Sequence, residues 1–392
     1  MNDQSSKSGN PMFSDSLMSA DDALKFLIDS ARVSEHTETT SLDESIGRVL
    51  SEDIHSKINV PGFDNSAMDG YTIALDEKNL NSTNQTFSVV DRIAAGSTGN
   101  ELKKGNAARI FTGAPIPKGA NTVVMQEECQ ASEDGSEITI RRSIDLNENI
   151  RPTGNDILKN DVILKTGKKI EPEDISLAAS VGIAELHVFK RLKVGVFFTG
   201  DELVEPGNSL TAGKIYNSNR YALVALLKNA GCEILNLGNI KDNFDSTCGA
   251  LEKLSKGCDL IMTTGGVSVG EEDHVKPAVE KLGSLNLWKI KMKPGKPLAY
   301  GQVRNIPFIG LPGNPVSSFV TYCIFALPFI KKMQGNSNFK NEPIKVKANF
   351  DCKRAKPRRE YARVQIDYSF ESPMASLYPK QGSDVMSSVV WA

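Results

Sequence analysis

The feature that most constrains this chain is the regular alternation that begins at Lys193. Residues 194–199 read as a strand, followed by a helix near 220–230 with Asn219 as candidate cap and Gly231 as stop. Residues 233–237 read as a second strand before a helix near 246–256. Residues 260–264 read as a third, leading through Gly265–Gly266 to a helix near 274–282. Strands near 298–303 and 306–311 then precede a helix that starts at Pro315, with Asn314 as its natural N-cap. Strands alternating with helices predict an α/β fold, a doubly wound and largely parallel sheet covered on both faces. Ligands of such sheets bind at the carboxyl ends of the strands.

The rest of the chain has a different texture. Residues 18–31 suit a helix, with Ser19 and Asp22 as a capping pair. From about residue 54 to 140, short β-type runs alternate with Gly, Pro, Asn and Asp turns. A helix fits 172–181, with Pro172 in its first turn and Gly182 beyond its end. After Gly335 the pattern is β-like again at 344–350 and 361–368, and residues 389–392 end the chain as an apolar, strand-like run. The 392 residues suggest two to four domains. We expect an N-terminal helical and linker region at 1–60, completed by 141–190, and an inserted β-rich domain at 61–140. The α/β domain is expected at 191–335 and a C-terminal β domain at 336–392.

Composition excludes several classes. With 46 Lys and Arg against 48 Asp and Glu, the chain lacks the basic excess of a phosphate-tracking nucleic-acid binder. The longest apolar run, 319–330, is broken by Pro328 and is too short to span a bilayer, so no membrane association is expected. Residues 1–16 are polar, with no apolar core of a signal peptide, which points to the cytoplasm. Six Cys without a C-x-x-C pair suggest buried reduced thiols, and four scattered His make a multi-His metal centre a poor expectation.

Several motifs carry chemistry. Gly266-Val267-Ser268-Val269-Gly270 matches the serine-hydrolase nucleophile elbow, but the only His after Ser268 is His274, six residues on. A Gly-rich turn at a strand end, open to an anion, is the better reading. Thr199-Gly200-Asp201-Glu202 ends the first strand, and Asn239-Ile240-Lys241-Asp242 follows the second. Glu271, Glu272 and Asp273 follow the third. Acids beside small residues at three successive strand ends can hold Mg²⁺ or position water. Lys293-Pro294-Gly295-Lys296-Pro297 sets two cations around a rigid turn. Gly310-Leu311-Pro312-Gly313-Asn314-Pro315 runs from a strand into a helix whose first N–H groups, with Ser317 and Ser318, suit an anion. Far upstream, residues 61–71 (PGFDNSAMDGY) carry Asp64 and Asp69 among turn formers, and residues 111–117 (FTGAPIP) carry Thr112. Each of these taken singly is also ordinary turn chemistry.

Together these stretches resemble the molybdopterin molybdenumtransferase family, the MoeA type that is also a domain of gephyrin. PGFDNSAMDGY, TGAPIP, GANTVVMQEE, TGDEL, TTGGVSVGEEDH, KPGKP and GLPGNPVS occur in that family's order, and the resemblance spans roughly residues 15–388. It implies a three-layer molybdopterin-binding domain, a β-rich insert, an elongated N-terminal α+β region and a small C-terminal β-barrel, here expected to be incomplete at Ala392. It implies insertion of molybdenum from molybdate into adenylated molybdopterin with release of AMP, assisted by Mg²⁺. It implies a homodimer with the site between the insert of one subunit and the α/β domain of the other, and a molybdopterin adenylyltransferase as upstream donor.

Roles carried over from the family fall on Asp69, Thr112, Glu202, Asp242 and Asp273 as catalytic groups, with Asp242 and Asp273 as metal ligands. Substrate contacts fall on Thr199, Gly200, Asp201, Gly265, Gly266, Ser268, Lys293 and Lys296, and on Pro312, Gly313, Asn314 and Pro315. Arg358, Arg359 and Arg363 are further cations near the chain end. Two other readings compete with this one. A molybdopterin adenylyltransferase shares the α/β domain, but residues 1–190 argue against it. A gephyrin-like scaffold would use a second fused domain and a long linker, which this sequence lacks.

Overall fold

The computed structural model describes residues 17–79, 82–266, 273–352 and 357–392. Its centre is the alternation expected from the sequence. The elements are β1 (Lys193–Phe198), α1 (Ser218–Asn229), β2 (Glu233–Asn239), α2 (Phe244–Ser255) and β3 (Leu260–Thr264). They continue as α3 (Val275–Leu282), β4 (Gly283–Lys289), β5 (Pro297–Val303), β6 (Ile306–Leu311) and the long α4 (Pro315–Met333). The sheet runs β2–β1–β3–β6–β5–β4. The first four strands are parallel, while β5 pairs antiparallel with both β6 and β4. Val303 faces Ile306 across a tight turn in which Arg304 takes a positive φ of 56°, so a hairpin forces β5 to reverse. Strand β4 was not anticipated. Its polar Ser284 and Asn286 interrupt the apolar run by which the buried strands are recognised.

Burial follows the pleat. Val194, Val196 and Phe198 of β1 join Leu260 and Met262 of β3 in one core, under α1, α4 and the N-terminal helix Ala20–Ser30. Phe197 and Ile261 point the other way, into a second core under α2 and α3. Ser19 caps the N-terminal helix, its Oγ accepting from Asp22 N–H at 3.1 Å. Phe26 of that helix meets Trp288 edge-on at 5.1 Å, and Trp288 stacks on Tyr300 at 5.8 Å, fixing the helix to the antiparallel side of the sheet. Helix α4 has the length and apolar composition of a membrane span. It is a core helix, with Tyr322, Phe325, Phe329 and Ile330 buried against the sheet.

The helix α1 is capped two residues earlier than expected. Asn217 Oδ1 accepts from Arg220 N–H at 3.1 Å, whereas Asn219 lies in the first turn and donates its amide to Gly313 C=O at 2.6 Å. A second six-stranded sheet lies within the β-rich stretch, in the order Thr122–Met125, Gly70–Ile73, Asn106–Ile110, Gln85–Ile93, Glu137–Ile140, Cys129–Ala131. A third core around Leu50, Ile170, Leu186 and Val188 joins residues before that sheet to residues after it. At the C-terminus, Lys347–Ala348, Met374–Leu377 and Val364–Asp367 form a three-stranded sheet. The strand-like ending expected at 389–392 is instead a short helix, Ser387–Trp391. Ser388 sits fully buried there, donating to Val385 C=O at 2.6 Å and accepting from Arg363 Nε at 3.0 Å, which ties down a helical turn. None of the six cysteines is in a disulfide; Cys232, Cys248 and Cys258 are buried as expected, whereas Cys129 and Cys323 are half-buried and Cys352 is exposed.

Candidate active site

The carboxyl ends of β1, β2 and β3 open into a cavity of about 610 Å³. Its floor carries Thr199 and Gly200 after β1, Asp242 after β2, and Thr264, Gly265 and Gly266 at the end of β3. Asp273, just before α3, also lines it, as do Glu202, Gly313 and Pro315. Parallel strands deliver these groups to one edge because each βα connection returns the next strand in the same direction. Thr199 Oγ1 donates to Asp242 Oδ1 at 2.8 Å, fixing that carboxylate from the neighbouring strand. Asp273 Oδ1 accepts from Val275 N–H at 3.1 Å, so this acid anchors the start of α3.

The glycines on the floor have steric reasons. Gly266 has a φ of +62°, and a Cβ there would lie 2.7 Å from Val275 Cγ2 and 3.3 Å from Thr199 Cγ2. A Cβ on Gly313 would lie 3.6 Å from the Gly265 Cα, so the two backbones approach with no side chain between them.

A second cavity of about 620 Å³ adjoins the first, sharing Glu202, Ile215 and Gly313 with it. Its walls carry Lys293, Lys296 and Arg358, with Pro312, Asn314, Ser317 and Ser383. The two cavities are electrically opposite. Among the described residues, the first is lined by Glu202, Asp242, Asp273 and Asp384 and by no Lys or Arg. The second has, among the described residues, three cations against Glu202. Lys293 Nζ pairs with Glu360 at 3.2 Å, while Lys296 has no ion pair among the described residues. The Lys293 turn is held by the C-terminal region, Tyr361 N–H donating to Lys293 C=O at 2.8 Å.

Thirteen of the seventeen expected site residues therefore line two contiguous cavities. Ser268 lies outside the described residues. Asp201 lines neither cavity: it is exposed, and its carbonyl accepts from Lys214 Nζ at 2.6 Å. Asp69 and Thr112 also line neither. They form a clamp on the insert, with Asp69 Oδ1 accepting from Thr112 N–H and Oγ1, both at 2.8 Å. These two hydrogen bonds, with Arg109 nearby, hold the Asp69 carboxyl below the usual aspartate value. Asp64 repeats the device, taking Thr153 N–H at 2.7 Å and Thr153 Oγ1 at 2.8 Å. The helix start at Pro315 is not the open anion site expected. Val316 N–H donates to Ser383 C=O at 3.1 Å, so the chain's own C-terminal segment fills part of it.

Sequence reasoning missed Ser383 and Asp384, whose segment is held at the cavities by Val316 and Arg363. The Arg363 Nη2 donates to Gly382 C=O at 2.9 Å. Of the three late arginines only Arg358 lines a cavity. Arg359 is paired with Asp21 at 2.6 Å, and Arg363 is buried. Also missed was the wall from Ile215 to Asn219, whose IYNSN text carries no site signature.

Comparison with known proteins agrees with this architecture. Residues 18–182 match the family model described as the MoeA N-terminal region (domain I and II), and residues 195–332 match the one described as a probable molybdopterin binding domain. The molybdopterin molybdenumtransferase of Haemophilus influenzae is 42% identical over 88% of this chain and 85% of its own length. The Bacillus subtilis protein of the same name is 37% identical over 75% of this chain and 70% of its own length. The crystal structure of the molybdopterin biosynthesis moeA protein from Pyrococcus horikoshii superposes with a TM-score of 0.82 at 30% identity, covering 96% of this chain and 94% of that one. The chain belongs to the molybdopterin molybdenumtransferase (MoeA) family.

Proposed function

We propose that this chain inserts molybdenum from molybdate into adenylated molybdopterin and releases AMP. The observation that carries the proposal is the pair of contiguous cavities of opposite charge, joined at Glu202, Ile215 and Gly313. The substrate needs both. Its phosphoanhydride must be cleaved, and a dianionic oxyanion must be held beside the dithiolene. The cationic cavity suits the dianion, through Lys293, Lys296 and Arg358. The acidic cavity at the strand ends suits the adenylate, its phosphate lying over Thr199, Gly265 and Gly266. Ser268 belongs with this group by its motif. Pro312, Gly313, Asn314 and Pro315 shape the passage between the cavities, and Glu202 is the acid at the junction.

Mg²⁺ fits the acidic cavity by donor chemistry. Asp242 and Asp273 supply hard carboxylate oxygens, and among the described residues no three His, Cys, Asp or Glu side chains close on one point. That suits an ion that takes one or two carboxylates and completes its shell with water and substrate phosphate. When bound, it neutralises charge developing on the phosphoryl oxygens. The protein's own part is to fix Asp242 through Thr199, to anchor Asp273 at the start of α3, and to hold the anion with charges set before the substrate arrives.

Asp69 and Thr112 complete the site from the insert of a second protomer, in a homodimer. The support is that their clamp is exposed and held by two hydrogen bonds, yet lines neither of the two cavities of its own chain. The domain division proposed is 1–60 with 141–190, 61–140, 191–335 and 336–392, with the N-terminal helix packed on the α/β core. The enzyme acts in the cytoplasm on substrate handed over by a molybdopterin adenylyltransferase. The test is AMP release from adenylated molybdopterin in the presence of molybdate and Mg²⁺. Wild-type release should depend on molybdate, and Asp242→Asn should slow it about a hundredfold or more without lowering the melting temperature. Equal release by the variant would defeat the assignment.

A further inference from the structure

The acidic cavity is not polar all round. Its floor is hydroxyls, glycine backbone and carboxylates, but its outer wall is a two-stranded ribbon, Leu203–Val204 beside Ile215–Tyr216. Ile215 is 56% exposed and Tyr216 43% exposed, and both line the cavity. Single exposed apolar side chains are ordinary on a surface. Two in succession on the wall of a polar cavity are a different matter, because that wall presents carbon to whatever the floor holds by charge. Such a cavity is complementary to an amphipathic ligand with a charged end and a flat apolar body.

The wall is also built to stay in place. Ile215 N–H donates to Glu202 C=O at 2.8 Å and Asn217 N–H to Val204 C=O at 2.9 Å, which locks the ribbon's register. The Tyr216 hydroxyl donates to Asn208 C=O at 3.0 Å, so its ring is tethered at the far end. Lys214 Nζ, one residue before Ile215, is bound to Asp201 C=O at 2.6 Å. A tethered ring and a β-branched side chain lose little freedom when a flat ligand settles on them.

We infer that Ile215 and Tyr216 are specificity-determining residues that bind a planar nitrogen heterocycle of the substrate, while its phosphate lies on the strand-end floor. The inference rests on the proposed function for the identity of the substrate, but not for its test. Two heterocycles share the chemistry, a purine and a pterin. Isothermal titration of the whole protein, with Mg²⁺ present, is made with AMP, with 6-hydroxymethylpterin and with inorganic phosphate. Ile215→Ala and Tyr216→Ala should each weaken one of the two heterocycles about tenfold and leave phosphate within about twofold, the loss expected when one stacking partner is removed. Tyr216→Phe keeps the ring and should bind nearly as wild type. Both positions are exposed, so truncation leaves no buried void, and circular dichroism checks the fold. The inference is overturned if both Ala variants bind AMP and the pterin as wild type does, if phosphate weakens in parallel, or if wild type binds neither heterocycle. Turnover separates this from the function proposed above. Absent AMP release from adenylated molybdopterin with intact wall-dependent binding sinks that function alone, and normal release with unchanged variants sinks the wall alone.

Discussion

The two regions that carry the densest acid-and-glycine text make opposite use of it. At the strand ends of the α/β sheet, Asp242, Asp273 and Glu202 converge on one cavity from three different connections. On the insert, Asp69 turns one oxygen back onto Thr112 of the same unit, and Asp64 turns one onto Thr153 in the segment that follows the insert. The first arrangement is open to a ligand. The second is closed within itself: Gly113 N–H donates to Ser66 C=O at 2.8 Å and Ile116 N–H to Asp64 C=O at 2.9 Å, knitting 61–71 to 111–117. Similar residue types therefore gather a ligand where parallel strands end, and stiffen a loop where strands are short and antiparallel. A loop stiffened this way still presents Asp69 at a fixed place on the surface.

The sharpest way to break this comparison is to ask whether the two regions serve one site. Asp69→Asn alone should abolish molybdate-dependent AMP release. Mixed and reassembled with Asp242→Asn chains, it should recover about a quarter of wild-type activity, since half the dimers are mixed and each has one intact site. No recovery from a demonstrably mixed dimer would return the Asp69–Thr112 clamp to a purely structural role. A smaller effect is expected in the cationic cavity. Lys296→Ala removes a charge that has no ion pair among the described residues, so the KM for molybdate should rise about tenfold with kcat little changed. A fall in kcat alone would place Lys296 in the chemistry instead.

The smallest effect is on the clamp itself. Asp69 titrates below the usual 3.8 because Thr112 donates to its ionised form. A depressed carboxyl stabilises the fold above its unfolded value and loses that contribution as pH falls through the folded value. Thr112→Ala removes one of the two donors, so the Asp69 midpoint should move up toward 3.8 and the acid-side loss should begin at higher pH. Carboxyl NMR titration reads this directly, and an unmoved midpoint would mean that the backbone N–H alone sets it.

Much of this architecture is legible before any coordinates. The alternation after Lys193, the Ser19 cap, the Asn314–Pro315 helix start and the β-rich stretch follow from local periodicity and turn chemistry. Thr199, Gly200, Asp242, Gly265 and Gly266 were recoverable because a doubly wound sheet gathers its strand ends at one edge. What stayed hidden depended on partners distant in sequence. Strand β4 is defined by pairing with β5, not by its own text. Residues 389–392 look like a strand until Arg363 reaches Ser388 and the turn becomes helical. Asp201 looks as suitable as Glu202, and only the ribbon geometry turns one outward and the other into both cavities.

The sequence by itself determined the elements, the polar strand ends and the rigid turns, because these depend on residues within a few positions of one another. The tertiary structure alone decided the division of charge between two adjoining cavities. Lys293, Lys296 and Arg358 come from segments separated by more than sixty residues, and they meet because backbone pairing joins Met292–Lys293 to Arg359–Glu360. Asp384 enters the acidic cavity because a buried guanidinium holds the Gly382 carbonyl and Val316 N–H holds that of Ser383. Local propensity carries no record of such meetings, since the chain must close long loops to make them and only the packed core compensates that entropy.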